Sequence, residues 1–111
     1  MECLIIGGNG FVGRNLTFFL AQQGHSVAIL DRQTDKRTAE IARTVINDAQ
    51  DGSLLVEVLA DLRPDVVYHL AANSDISAGV NDSSLDFSDT LMTTCALRTA
   101  LQRQPVSQVI F

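Results

Sequence analysis

The stretch "GGNGFVG", Gly7–Gly13, places four glycines within seven positions, directly after the apolar run "CLII". Glycine loses more conformational freedom on folding than any other residue, so this density requires a reason. The apolar run predicts a strand over Cys3–Gly7 that is buried on both faces. Apolar residues then recur at helical spacing, at Val12, Leu16, Phe19 and Leu20. Gly24 is expected to end that helix. Since the glycines at 7–13 stand between the predicted strand and this helix, they lie at a strand-to-helix turn.

Outward from this turn, further apolar runs alternate with helical patterns. Strands are predicted over Ser26–Leu30, Thr44–Ile46, Asp65–Leu70 and Gln108–Phe111. The polar stretch 32–43 predicts at most a turn of helix, around Ala39–Ala42. A stripe of Leu and Val over 54–62 predicts a core helix, with Asp51 as its N-cap and Pro64 after its end.

The last helix has its own start signals. Ser83 is its expected N-cap, and Asp86 lies in its first turn, where a negative charge is favourable. One face carries apolar residues, namely Phe87, Leu91 and Cys95. The order is therefore β-α-β-loop-β-α-β-α-β, which predicts one domain over residues 1–111. Its fold class is α/β, a doubly wound open parallel sheet of about five strands with helices on both faces.

In such a sheet, ligands bind beyond the carboxyl ends of the strands, and the glycine turn lies at that edge. Gly7 allows the sharp turn, Gly10 leaves room for a pyrophosphate, and Gly13 allows the helix to pack closely. Unpaired N–H groups at the helix N-terminus suit phosphate oxygens, and Phe11 and Val12 are included among the predicted cofactor contacts. The alternative is a glycine-rich turn in an unrelated α/β protein. A P-loop is excluded because no Lys-Ser/Thr pair follows the glycines.

A carboxylate follows the second strand and bears on the choice of cofactor. Asp31 is placed to accept hydrogen bonds from the hydroxyls of an adenosine ribose. It would repel a 2′-phosphate, which favours NAD over NADP. Arg32 is adjacent and Arg37 is near, and either could partly neutralise that repulsion.

Composition narrows the classes of partner. The net charge is −5, and Lys and Arg are scattered along the chain, which argues against a nucleic-acid surface. No apolar run is long enough to span a bilayer, and no basic leader precedes the first strand. We expect a cytoplasmic protein in which Cys3 and Cys95 are buried free thiols.

Several segments together resemble one family. "CLIIGGNGFVGRNL" resembles the first strand, turn and helix of the extended short-chain dehydrogenase/reductase family, whose cofactor-binding fold is of the Rossmann type. These proteins are the NAD-dependent epimerases and dehydratases of nucleotide sugars. "VINDAQD" resembles the third-strand segment whose Asp contacts adenine, which implies that role for Asp48 with Ala49 alongside. "RPDVVYHLAA" resembles the fourth strand, which implies that Leu70, Ala71 and Ala72 lie near the cofactor. "SLDFSDTLMTT" resembles the start of the next helix.

The resemblance implies NAD as cofactor and a nucleotide sugar as substrate of the full-length protein, with two departures. Thr90 stands where the family usually has Asn, and Thr93–Thr94 stand where it has Gly-Thr. Members also carry a Ser or Thr after the fifth strand and then Tyr-x-x-x-Lys, and the 111 residues contain neither that pair nor the substrate-binding part. A Tyr transfers the sugar's proton only when a nearby cation lowers its pKa. We therefore expect this chain to bind cofactor without turnover.

Other readings stay open. The chain fits a non-catalytic cofactor-sensing module of the same fold, or an NADP-linked reductase of the same family. His25 is interpreted as a loop residue and His69 as a packed residue that bonds neighbouring backbone. Ser74 is included among the cofactor contacts, although Ser74 and Asp75 also fit a solvated loop. The apolar end at 109–111 predicts self-association or a covering partner chain.

Overall fold

In the computed structural model, which describes residues 1–72 and 80–111, five parallel strands form one sheet. The strands are β1 (Glu2–Ile6), β2 (Ser26–Asp31), β3 (Arg43–Ile46), β4 (Val66–His69) and β5 (Gln108–Ile110). Their order across the sheet is β3-β2-β1-β4-β5. The predicted open parallel sheet is thereby confirmed. The strand order reverses at β1, because the chain adds strands first on one side of β1 and then on the other.

The helical elements of the described residues alternate with these strands. They are α1 (Phe11–Gln22), α2 (Lys36–Ala39), α3 (Gly52–Leu62), α4 (Ser83–Asp86), a π-helical segment (Phe87–Met92) and α5 (Thr93–Arg103). The short helix α2 begins earlier than the turn predicted around 39–42. Its start is set by Asp35, whose carboxylate accepts the backbone N–H of Arg37 at 2.9 Å.

The N-terminal caps partly follow the sequence-based predictions. Asp51 caps α3 as predicted, because its carboxylate accepts the Leu54 N–H at 3.1 Å. Ser83 was expected to cap the last helix, and this expectation is wrong. The carboxylate of Asp82 accepts the Ser84 N–H at 3.0 Å, so the side chain one position earlier provides the cap.

The sheet is covered on both faces because successive side chains of a strand point to opposite sides. On one face, Leu4 and Ile6 of β1 pack with buried residues of α3 and α5. On the other face, Cys3 and Ile5 pack with Leu20 of α1. The Leu and Val stripe of α3 is therefore core, as predicted.

The apolar pattern of α1 predicted the helix but did not identify its buried face. Val12 and Phe19 are 62% and 56% exposed, whereas Gly13, Thr17 and Leu20 are buried. The Thr17 hydroxyl donates to the Gly13 carbonyl at 2.8 Å, so this polar side chain is satisfied inside the protein.

The two cysteines differ in their exposure. Cys3 is buried as predicted, but Cys95 is exposed, because it points away from the face of α5 that carries Ala96 and Leu97 into the core. Among the described residues, no helix combines the length and the apolar character that a membrane span requires.

Candidate functional site

A cleft of about 370 Å³ lies at the carboxyl edge of the sheet, where the strand order reverses. It is lined by Gly7, Asn9, Gly10, Phe11, Val12, Gly13, Leu30, Asp31, Arg32, Gln33, Asn47, Asp48, Ala49, Leu70, Ala71, Ala72, Asp89 and Thr93. These residues include every predicted cofactor contact except Ser74. Ser74 and Asp75 lie outside the residues that the structure describes.

Two glycines of the turn are required by the protein's own packing. Gly7 has φ +85°, and a Cβ built there would lie 2.8 Å from the backbone nitrogen of Ala71. A Cβ on Gly13 would lie 2.3 Å from the carbonyl oxygen of Gly7. The predicted sharp turn at Gly7 is confirmed. The close approach at Gly13 is to the turn itself.

Gly10 differs from these glycines. A Cβ built on Gly10 would meet only the Gly7 carbonyl oxygen, at an ordinary contact distance of 3.5 Å. Its backbone, with φ −71° and ψ 175°, is open to any L-residue. The packing of the chain therefore gives no reason for glycine at this position, and the space that a side chain would take belongs to the cleft.

The start of α1 faces the same space. The first N–H groups of a helix have no partner within it, and they carry a partial positive charge. Phe11 and Val12 are 77% and 62% exposed, although both are apolar. This wall therefore offers unpaired amide donors next to apolar surface. The combination suits a ligand that carries a phosphate group next to a less polar part.

The carboxylate of Asp31 is held by two backbone amides. One oxygen accepts the Asn9 N–H at 2.9 Å, and the other accepts the Gln33 N–H at 3.0 Å. A carboxylate oxygen accepts more than one hydrogen bond, so both oxygens retain acceptor capacity. These bonds orient Asp31 at the end of β2, where it lines the cleft.

Asn9 links the glycine turn to the segment after β2, a role that the sequence analysis missed. Its side-chain amide donates to the Gln33 carbonyl at 2.7 Å. Its side-chain oxygen accepts from the fully buried hydroxyl of Thr38 at 2.5 Å. The available signal was an amide inside the glycine stretch, since Asn often bonds to nearby backbone in turns.

The segment after β3 completes this side of the cleft. The Asn47 N–H donates to the Asp31 carbonyl at 2.9 Å, which continues the pairing of β2 with β3 beyond the strand. The Asp48 carboxylate accepts the Gln50 N–H at 2.9 Å, and Ala49 is buried next to it. Asp48 and Ala49 therefore lie at the same edge as Asp31, as the family resemblance implied.

The opposite wall comes from the helical elements after β4, and its residues were not predicted as contacts. Thr93 is buried, and its hydroxyl contacts the carbonyl oxygens of Asp89, Thr90 and Ala71 at 3.0, 3.1 and 3.4 Å. Asp89 accepts a hydrogen bond from Arg32 at 3.2 Å. This ion pair joins the end of β2 to the π-helical segment.

Both arginines that bear on cofactor choice are engaged by carboxylates. Arg37 does not line the cleft, and its guanidinium donates to both oxygens of Asp35 at 3.1 and 2.9 Å. The hydrogen bonds from the Arg37 side chain and backbone lower the pKa of Asp35 to about 2. Arg32 is the arginine that lines the cleft, together with the carboxylates of Asp31, Asp48 and Asp89.

His69 lies apart from the residues that line the cleft. It is 6% exposed, and its Nε2 lies 3.1 Å from the hydroxyl of Thr94. The predicted packed position is confirmed, but the partner is a side chain of α5, and the predicted backbone partner was wrong. Burial lowers the pKa of His69. Nothing places this ring to act as a general base in the cleft.

The cleft therefore contains amides suited to an anion, an oriented carboxylate and small residues, but no acid–base pair among the lining residues that the structure describes. Tyr68, the only tyrosine of the sequence, lies in β4 and packs against the buried cluster on the α1 side. The groups present are suited to binding and orienting a ligand. They do not supply the cation-activated Tyr that proton transfer at a sugar oxygen requires.

Comparison with known proteins places this geometry in a family. The chain is 29% identical to a UDP-glucose 4-epimerase of Mycolicibacterium smegmatis, over 99% of its own length and 37% of the relative's. The structure of the Brucella ovis UDP-glucose 4-epimerase in complex with NAD superposes with a TM-score of 0.91 at 27% identity, over 98% of this chain and 34% of that one. The UDP-glucose 4-epimerase of Thermus thermophilus in complex with NAD gives a TM-score of 0.91 at 27% identity, over 100% of this chain and 37% of that one.

The chain thus spans about a third of the length of the curated relatives it matches. The model of the NAD dependent epimerase/dehydratase family matches residues 3–111, which is nearly the whole chain. The resemblance noted in the sequence is confirmed, and the chain belongs to the NAD dependent epimerase/dehydratase family.

Proposed function

We propose that the chain binds NAD in the cleft and forms the cofactor-binding part of a nucleotide-sugar epimerase or dehydratase. The observation that carries this proposal is Gly10, which is a glycine where the protein's own packing does not require one. A pyrophosphate bound to the amides at the start of α1 would explain the glycine, because it needs the space that a side chain would occupy. The exposed apolar residues Phe11 and Val12 border the same space.

The remaining cofactor contacts are assigned by position along the cleft. Asp31 would hold the ribose hydroxyls of the adenosine, and Asp48 with Ala49 would border the adenine. Leu70, Ala71 and Ala72 would lie beside the phosphates and the second ribose. The crystallised relatives that carry NAD have the same fold over this length of chain, which supports the assignment.

The substrate of the full-length protein is proposed to be a nucleotide sugar. Support comes from several curated relatives that are UDP-glucose 4-epimerases. NAD supplies reversible hydride transfer to and from a sugar carbon. The described residues bind and orient the dinucleotide, and the proton transfer needs a Tyr-x-x-x-Lys pair that the 111-residue sequence does not contain.

We therefore propose that these 111 residues bind cofactor without turnover, with the cytoplasm as the compartment. The free thiols Cys3 and Cys95 support a reducing environment. A cofactor-sensing module without catalysis makes the same binding prediction, because it needs the same cleft. The residues that follow Phe111 in the gene distinguish the two, since an enzyme requires Tyr-x-x-x-Lys there.

Self-association is proposed at the apolar flank of α5 and β5, with a second copy of the chain as the occupant. Leu101, Val109 and Phe111 line a shallow depression on this side, and Phe111 is 74% exposed. β5 also lies at the edge of the sheet, where unpaired backbone groups favour pairing. Sedimentation that shows a monomer at high concentration would contradict this proposal.

Calorimetric titration with NAD tests the binding proposal. We expect saturable binding to the wild-type chain and about tenfold weaker binding to Gly10→Ala, because the added methyl group occupies phosphate space. Gly52→Ala is the matched control, since a Cβ there meets only the Ala96 carbonyl oxygen at 3.8 Å, away from the cleft. Equal affinity of the two variants, or no binding by the wild type, would refute the proposal.

Sustained conversion of UDP-glucose by the wild-type chain would refute the absence of turnover.

A further inference from the structure

An ion pair crosses the cleft at the side where Asp31 lies. Arg32 follows Asp31 directly, and its Nη1 lies 3.2 Å from Oδ1 of Asp89. Both residues line the cleft, but they come from distant parts of the chain, the end of β2 and the π-helical segment. The Asp89 side chain is 16% exposed and that of Arg32 is 58% exposed, so the carboxylate is the more enclosed partner.

The charges around this pair are unbalanced. Among the described residues that line the cleft, Arg32 is the one cation, and it stands against Asp31, Asp48 and Asp89. Arg37, the other arginine near the end of β2 in sequence, is bound to Asp35. A guanidinium is the group best suited to a phosphate, because its planar fork matches the phosphate oxygens. Whether the Arg32 guanidinium can bind a phosphate therefore determines whether this edge of the cleft attracts or repels one.

We infer that Asp89 determines the preference for NAD over NADP by holding Arg32. The inference rests on the proposed function, since it assumes that the adenosine ribose lies at Asp31. A 2′-phosphate on that ribose would meet the carboxylate of Asp31, and Arg32 would be the nearest source of compensation. With Arg32 paired to Asp89, the charge of its guanidinium is already balanced. Asp89 acts here as a positioning residue through Arg32.

Substitution at both ends of the pair tests this inference. Asp89→Asn keeps the size of the side chain and removes its charge, which leaves Arg32 free to meet the phosphate. We expect the ratio of NADP to NAD affinity to rise about tenfold, the scale of one charge-assisted hydrogen bond. The gain should shrink as the salt concentration rises, because the interaction is partly exposed. Asp89→Ala should give the same direction of change if Asn perturbs the helix.

The double variant Arg32→Gln/Asp89→Asn separates two explanations. If Arg32 receives the phosphate, the double variant loses the gain seen in Asp89→Asn. If the gain persists without Arg32, it comes only from removing a negative charge, and the inference is wrong. An unchanged affinity ratio in both single Asp89 variants also overturns it, while the proposed function stands as long as the wild type binds NAD. A wild-type chain that binds neither dinucleotide overturns both.

Discussion

The glycine turn at 7–13 and the helical segment at 89–94 face each other across the cleft, and different forces hold them in place. In the turn, backbone lies against backbone, so that a single added carbon at Gly13 would lie 2.3 Å from a carbonyl oxygen. In the helical segment, side chains reach distant partners, as Thr94 reaches His69 and Asp89 reaches Arg32. The turn is thus constrained by close backbone contacts, including that of Gly7 with Ala71, and the helical segment by side-chain bonds to residues far apart in sequence.

The largest expected effect tests the backbone packing of the turn. Gly13→Ala should lower the free energy of unfolding by about 3 kcal/mol, because the neighbouring atoms belong to the backbone and cannot turn aside. Gly10→Ala, in the same turn, should change it by no more than about 0.5 kcal/mol. Urea denaturation measures both. Equal losses would show that the two glycines are retained for the same reason.

The second effect tests the side-chain bonds of the helical wall. The Thr94 hydroxyl donates to the Thr90 carbonyl at 2.9 Å, so it accepts from Nε2–H of His69. Thr94→Val should cost about 1.5 kcal/mol, because it leaves this buried donor without a partner. Thr99 makes the same bond to the carbonyl four residues earlier, on an exposed position. Thr99→Val is therefore the control, and an equal loss in both variants would assign the cost to the helix alone.

The third effect is a pH dependence that originates at His69. Because burial lowers the pKa of His69, the folded state binds fewer protons than the unfolded state below the ordinary value of 6.5. Stability should fall as pH decreases from about 6.5 through the folded-state pKa, with a slope of at most about 1.4 kcal/mol per pH unit. His69→Gln should remove this part of the slope. Urea unfolding at a series of pH values from about 7 to about 5 measures it, and parallel profiles for the wild type and the variant would contradict it.

The smallest effect concerns the ion pair across the cleft. Arg32→Gln should destabilise the fold by about 0.5 kcal/mol or less, because exposed ion pairs contribute little. Arg43→Gln removes the exposed pair with Asp61, at 2.6 Å, and should cost a similar amount. Thermal unfolding at low and high salt compares them. A much larger loss for Arg32→Gln would mean that the pair holds the two walls together, beyond any role in ligand choice.

The sequence predicted the fold well because its signals are local. A buried strand, a glycine turn and a helix follow one another at 3–24, and the pattern of apolar runs predicted the remaining strands. The residues expected at the cleft on the strand side do line it, from Gly7 to Ala72. Each of them lies at the end of a strand, in the loop that follows it or in the first turn of the next helix, so the parallel sheet brings them to one edge.

The sequence did not predict the environment of residues whose neighbours come from distant parts of the chain. Cys95 lies on a helix with an apolar face but points outward, and Thr17 is polar but fully buried. Asn9 had no predicted role, although it bonds to Gln33 and Thr38. Helical periodicity indicates that a face exists, but the neighbouring elements decide which face is covered.

By itself, the sequence determined that strands alternate with helices, that the first turn is rich in glycine, and that a carboxylate ends the second strand. These features follow from backbone preferences and from spacing along the chain. Only the tertiary structure decided that Asp89 reaches Arg32, that Thr93 forms part of the cleft, and that Gly10, unlike Gly7 and Gly13, is open to the ligand space. Such contacts depend on residues far apart in sequence, and they exist only once the sheet has brought both sides of the cleft together.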